Sequence, residues 1–140
     1  MIDKNKSRTI TFQLGNMFFE YDEWKNEYNL EHHGISFRNA ARVFFDYDRI
    51  ELYDEQNSAA EDRFNTIGNL EAGMTALSPS NDTTIGNINA FLGEVTDILF
   101  VVYTERIQTN QHGEKIDVTR LISARQATNF ERGLYYGKYQ

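Results

Sequence analysis

Hydrophobic and polar positions alternate weakly over Thr9–Leu14, then give way to the compact aromatic run Met17–Tyr21. The alternation predicts a short edge strand and the aromatic run a first core strand. From Asp22 the period changes. Asp22 suits a helix N-cap, and Glu23 favours the positive first turn. Trp24 and Tyr28 lie at i and i+4 on one face, while Lys25, Asn29 and His32, at i, i+4 and i+7, form a neighbouring polar face. Gly34 follows where a left-handed cap is expected, so a helix is predicted over Asp22–His33. Ser36 opens a second helix. In it Phe37, Ala40, Ala41, Phe44 and Phe45 fall at i, i+3, i+4, i+7 and i+8, a full apolar stripe that Asp46-Tyr47-Asp48 ends.

Strand patterns follow at Arg49–Tyr53, Arg63–Leu70, Asp97–Thr104 and Asp117–Ala124. The acidic loop Asp54–Asp62 joins the first two, and His112-Gly113 within Asn110–Glu114 suits a hairpin turn between the last two. Thr128-Asn129-Phe130-Glu131 is a capping box that starts a closing helix running to about Tyr136. Residues 71–96 break this rhythm and are expected to be an inserted loop, and residues 1–16 an N-terminal extension. The order β-α-α-β-β-β-α predicts one α+β domain over residues 1–140, with helices packed on one face of a mainly antiparallel sheet.

The composition narrows the chemistry. The chain has 140 residues, 40% of them hydrophobic, enough to bury a core without staples. It has no cysteine, which removes disulfides, thiolate metal sites and cysteine nucleophiles. No apolar run approaches the length of a membrane span, and Met1–Arg8 is polar, so a cytoplasmic protein without membrane partners is expected. The net charge of −7 is uneven: −6 over residues 1–62, −3 over 63–97 and +2 over 98–140. An acidic body binds nucleic acid poorly except through a local basic site, and it also suits a basic partner.

The three histidines, His32, His33 and His112, do not form a chelating set, since neighbours on a helix point about 100° apart. No metal or other cofactor is expected. Neither a serine triad nor a glycine-rich phosphate loop is legible. What remains is a scattered basic set: Lys25, His32, His33, Arg63, Arg106, Arg120, Arg125 and Arg132. Metal-free RNA cleavage needs such groups: a base for the 2′-OH proton, a cation for the charge on phosphorus and an acid for the departing 5′-oxygen. Histidine serves either proton role, arginine matches phosphate bidentately, and Tyr103, Tyr135 and Tyr136 are candidates to stack on bases. The plain alternative for Arg125 is a salt bridge to Glu131 or Glu105; for Lys25 and Asn29 it is a solvated helix surface or capping.

Taken in order, several blocks resemble the BrnT family of ribonuclease toxins, from the BrnT–BrnA type II toxin–antitoxin systems. They are Tyr21–Phe37 with its His32-His33-Gly34-Ile35-Ser36-Phe37 ending, Ala40-Ala41-Arg42-Val43-Phe44-Phe45-Asp46, Arg63-Phe64-Asn65-Thr66-Ile67-Gly68, Val102-Tyr103-Thr104-Glu105-Arg106, and Ile122-Ser123-Ala124-Arg125-Gln126-Ala127-Thr128. His32 stands where the family commonly has lysine. The resemblance implies a compact RelE-like fold, an RNA substrate and inhibition of translation. It also implies a hetero-oligomer with a BrnA-like antitoxin, whose ribbon-helix-helix domain alone contacts operator DNA. Chemistry and motif position together nominate His33 as proton carrier with His32 as the alternative, and Arg106 and Arg125 on the scissile phosphate. Lys25, Arg63, Arg120, Arg132 and Tyr136 are nominated for RNA binding. The alternative is a non-catalytic toxin-fold module that binds an antitoxin-like partner.

Overall fold

The computed structural model describes residues 7–77 and 98–137. The described elements are β1 (Thr9–Leu14), β2 (Met17–Asp22), α1 (Glu23–His33), α2 (Phe37–Ala40), β3 (Ile50–Tyr53), β4 (Phe64–Asn69), α3 (Leu70–Leu77), β5 (Ile98–Thr109), β6 (Lys115–Gln126) and α4 (Asn129–Tyr135). The strands form one six-stranded sheet in the order β1-β2-β6-β5-β4-β3. Every neighbouring pair is antiparallel except β2 and β6, which run parallel over Phe18–Tyr21 and Val118–Leu121. The fold is thus α+β with a mainly antiparallel sheet, as the sequence pattern predicts.

Local signals account for most boundaries. The Asp22 side chain accepts from the Trp24 N–H at 2.9 Å, and Gly34 ends α1 at φ 71°, a left-handed cap that costs glycine nothing. Gly113, at φ 78°, turns the β5–β6 hairpin. The capping box of α4 is formed in both directions between Thr128 and Glu131.

Phe19 and Tyr21 of β2, Leu99, Val101 and Tyr103 of β5, and Leu121 and Ala124 of β6 make the core with Ile35, Phe37, Ala40, Val43 and Phe44. A register shift at Val102/Tyr103 keeps Leu121 and Ala124, three residues apart, on the same face. Phe100 and Arg125 alternate to the opposite face.

Three expectations change. The second helix is α-helical only to Ala40 and continues as a 3-10 helix over Ala41–Phe45. At three residues per turn Ala40, Val43 and Asp46 fall in line, so Val43 and Asp46 turn inward where a 3.6-residue period leaves them out. Residues 71–77, expected as loop, belong to α3, which packs so closely on the 3-10 helix that a Cβ at Gly73 would lie 1.9 Å from the Arg42 carbonyl oxygen. The rest of the expected insertion, residues 78–96, lies outside the described residues. The helices do not all lie on one face: Glu131 of α4 binds Arg125, on the face opposite α1 and α2. The short edge strand expected over Thr9–Leu14 is formed: β1 is joined to β2 along its whole length, and Phe12 stacks on Phe19 with ring centroids 5.3 Å apart.

Candidate functional site

The site is built around one buried side chain. Asn29 of α1 is 2% exposed. Pairing of β2 with β6 stops at Tyr21 and Leu121, so the outward N–H and C=O of Ala124 have no strand beside them. Asn29 takes that place. Its Oδ1 accepts from the Ala124 N–H at 3.0 Å, and its Nδ2 donates to the Ala124 carbonyl at 2.7 Å and the Ile35 carbonyl at 2.9 Å. This staple fixes α1 against β6 one residue before Arg125.

The two flanks of Asn29 are distinct. On one, Asn26 Oδ1 accepts from the Phe37 N–H at 2.8 Å, so this flank faces α2 and the core. His33, seven residues on, continues it and is exposed at the helix end. The other flank carries Lys25, Tyr28 and His32 at i, i+3 and i+7, turned away from α2. His32 stacks on Tyr28 with centroids 3.8 Å apart, and its Nδ1 lies 2.9 Å from the Tyr28 carbonyl oxygen. A carbonyl only accepts, so Nδ1 carries the proton in the neutral ring and Nε2 keeps a lone pair. The exposed Nε2 is thereby set up as a proton acceptor.

Arg125 is held from several sides. Its Nη1 and Nη2 donate to the two Glu131 carboxylate oxygens at 2.7 and 2.9 Å, Nη1 also reaches the Gln126 carbonyl at 3.1 Å, and the guanidinium lies 4.3 Å above the Phe100 ring. Of the two acidic partners open in the sequence, Glu131 is the one used. The Nε–H and the second Nη2–H share the other edge of the guanidinium and have no partner among the described residues. That edge is a fork of the shape a phosphate accepts.

The ion pair raises the Arg125 pKa, chiefly through the hydrogen bond to Glu131. Burial works to raise the Glu131 carboxyl, but hydrogen bonds from Arg125 and the Thr128 N–H outweigh it and hold the pKa below its ordinary 4.5. A lowered carboxyl stabilises the fold at pH values above its ordinary pKa and loses that contribution as pH falls through the lowered one. Wild type is therefore expected to lose more stability than Glu131→Gln between pH 7 and acid, measured by urea unfolding at each pH.

Arg106 and Arg120 are held elsewhere on the sheet. Arg106 pairs with Glu61 at 3.0 Å and lies six residues along β5 from Phe100, roughly 20 Å from Arg125 at the usual strand rise. Arg120 is bound to Glu20 at 2.5 Å, a carboxylate only 3% exposed. Arg63 is partly buried just before β4. Arg132 approaches the Tyr136 ring at 6.0 Å, and Tyr136 is exposed.

Two tyrosines are unsuited to stacking on bases. Tyr103 is buried in the core, its hydroxyl pushed up to about 12 mainly by burial. Tyr135 donates to Asp46 Oδ2 at 2.6 Å. Burial, then this hydrogen bond and the Asp46 charge, push its pKa upward. Sequence reasoning passed over Tyr28 and Glu131 as site residues. The stacking of Tyr28 on His32 follows from i, i+4 spacing, and the capping box already marked Glu131.

Among the described residues no three His, Cys, Asp or Glu side chains converge as a metal site, and no helix is long and apolar enough to cross a membrane. Residues 21–78 match the family model of the ribonuclease toxin, BrnT, of type II toxin-antitoxin system. The matched segment spans α3. No curated protein matches the chain.

Proposed function

We propose, from the match of residues 21–78 to the BrnT ribonuclease-toxin family model, that the protein is the endoribonuclease toxin of a type II toxin–antitoxin pair. It cleaves RNA without a metal, arrests translation in the cytoplasm and is neutralised by a BrnA-like ribbon-helix-helix antitoxin. Contact with operator DNA runs through that antitoxin, and the domain is RelE-like. The family match is the observation that carries this reading, and α1 with its polar flank lies inside it.

The chemistry assigned to the site is internal transesterification. His32 Nε2 takes the 2′-OH proton, and the 2′-oxygen attacks phosphorus. Charge builds on the phosphoryl oxygens as the bond to the 5′-oxygen breaks. The free edge of Arg125 binds those oxygens, with Glu131 and Phe100 holding the guanidinium in place. His33, as imidazolium, protonates the departing 5′-oxygen. Lys25, two turns before His32, is a further cation for the phosphate chain, and Tyr136 offers an open ring to a base. Arg63, Arg106, Arg120 and Arg132 are assigned to binding RNA away from the scissile phosphate. The ion pair of Arg106 with Glu61 and its distance from Arg125 argue against a catalytic role for it.

The test compares cleavage of a labelled RNA by the purified wild type, His32→Ala and Arg125→Lys, each shown to be folded. Arg125→Lys keeps the charge and loses the fork. Both variants are expected to cleave on the order of 100-fold more slowly. Wild-type rates in either would remove that residue from the mechanism. The alternative of a non-catalytic module draws on one observation: Arg106, Arg120 and Arg125 are all paired to the chain's own carboxylates. It predicts a folded chain that binds its partner and leaves RNA intact.

A further inference from the structure

At the far end of the sheet from Arg125, between the β1–β2 and β5–β6 hairpins, lies a cavity of about 310 Å³. We infer that this cavity is a base-recognition subsite, taking a nucleobase with an exocyclic amino group, guanine above all. The cavity itself selects a base over a phosphate or a charged peptide, because no charged side chain lines it among the described residues. The reading of the protein as an RNA-cleaving toxin supplies only the polymer that brings the base.

The walls have the two features a base needs. Phe18 stands beside Val118 in the parallel pairing, yet Val118 is buried while the Phe18 ring is 38% exposed. It is a half-open aromatic face, and a base stacks on such a face whatever its sequence. The second feature is a pair of oriented acceptors. Gln108 Nε2 donates to Glu20 Oε1 at 2.7 Å, and Glu20 is itself fixed by Arg120. Gln13 Nε2 donates to the Gly15 carbonyl at 3.1 Å. Each amide nitrogen faces an atom that only accepts, which settles both amide orientations and leaves each Oε1 without a partner among the described residues.

Two fixed acceptors at the cavity favour a ligand that presents donors. Guanine offers N1–H and N2–H₂ side by side. Uracil has one ring N–H between two carbonyls, which would meet the amide oxygens head on. Val118 lies seven residues along β6 from Arg125, about 23 Å away at the usual rise, so the base read here is not at the scissile phosphate but farther along the strand.

Nuclear magnetic resonance titration of the full chain with GMP and with UMP tests this directly. GMP is expected to move the side-chain amide signals of Gln13 and Gln108, and UMP to require about tenfold more nucleotide. Phe18→Ala is expected to weaken GMP about tenfold, and Gln108→Leu, an exposed change that spares the core, to abolish the preference for GMP over UMP. Equal binding of the two nucleotides, or cavity signals that stay still in millimolar GMP, would overturn the inference. If GMP binds here while RNA stays intact, the subsite stands and the ribonuclease reading fails. If RNA is cleaved with site preference unchanged in both variants, the ribonuclease reading stands and the subsite fails.

Discussion

Replacing Asn29 by alanine is expected to cost about 3–4 kcal/mol of folding stability, a drop in melting temperature on the order of 10 °C. The reason is what the side chain leaves behind. The Ala124 N–H, the Ala124 C=O and the Ile35 C=O each lose their hydrogen-bond partner. The site is almost fully closed to water, and an unsatisfied buried polar group costs about 1–3 kcal/mol. A second variant separates hydrogen bonding from packing. Asn29→Asp keeps the volume and the acceptor, but turns an oxygen toward two carbonyl oxygens. It should be at least as damaging as alanine at neutral pH. Urea unfolding of the three proteins decides: a loss below about 1 kcal/mol for Asn29→Ala would mean that water or a backbone shift takes over the three groups.

The second large effect is at Asp46, which ends the 3-10 helix and is 2% exposed. Its Oδ1 accepts from the Asp48 N–H at 3.0 Å, and its Oδ2 from the Asn69 N–H at 2.7 Å and the Tyr135 hydroxyl at 2.6 Å. One carboxylate thus joins the 3-10 helix, the start of α3 and the closing helix. Asp46→Ala is expected to cost about 3 kcal/mol, since hydrogen bonds to a charged group are the stronger kind and two donors are left on partly buried elements. Tyr135→Phe removes only one of the three and should cost about 1 kcal/mol. Equal losses in the two variants, measured by thermal unfolding, would show that the hydroxyl and not the carboxylate's joining role dominates.

What was legible in the sequence was local. Asp22, Gly34 and the Thr128–Glu131 box announce their caps because each acts within a few residues of itself. The hairpin turn at Gly113 and the strong β pattern of Ile98–Tyr103 are of the same kind. What was not legible acts across the chain. Asn29 is a polar residue on a helix surface, and nothing near it in sequence points to Ala124, 95 residues away. The parallel pairing of β2 with β6 and the partners of Arg106 and Arg120 are equally remote. Arg106 and Arg125 look alike as charges on strands, and only the register of β5 with β6 sets them far apart. Within the candidate site, the neighbourhood of His32 and Lys25 was visible as a helical face, but not the staple by which Asn29 fixes that helix to Ala124. The choice of His32 over His33 as base turns on which flank Asn26 commits to α2.

The most direct test of the account is incubation of an end-labelled RNA with the purified, folded chain in EDTA, with the product ends identified. The account predicts cleavage, with fragments ending in a 2′,3′-cyclic phosphate and a free 5′-hydroxyl, the products of 2′-oxygen attack. RNA left intact by the folded chain would contradict it.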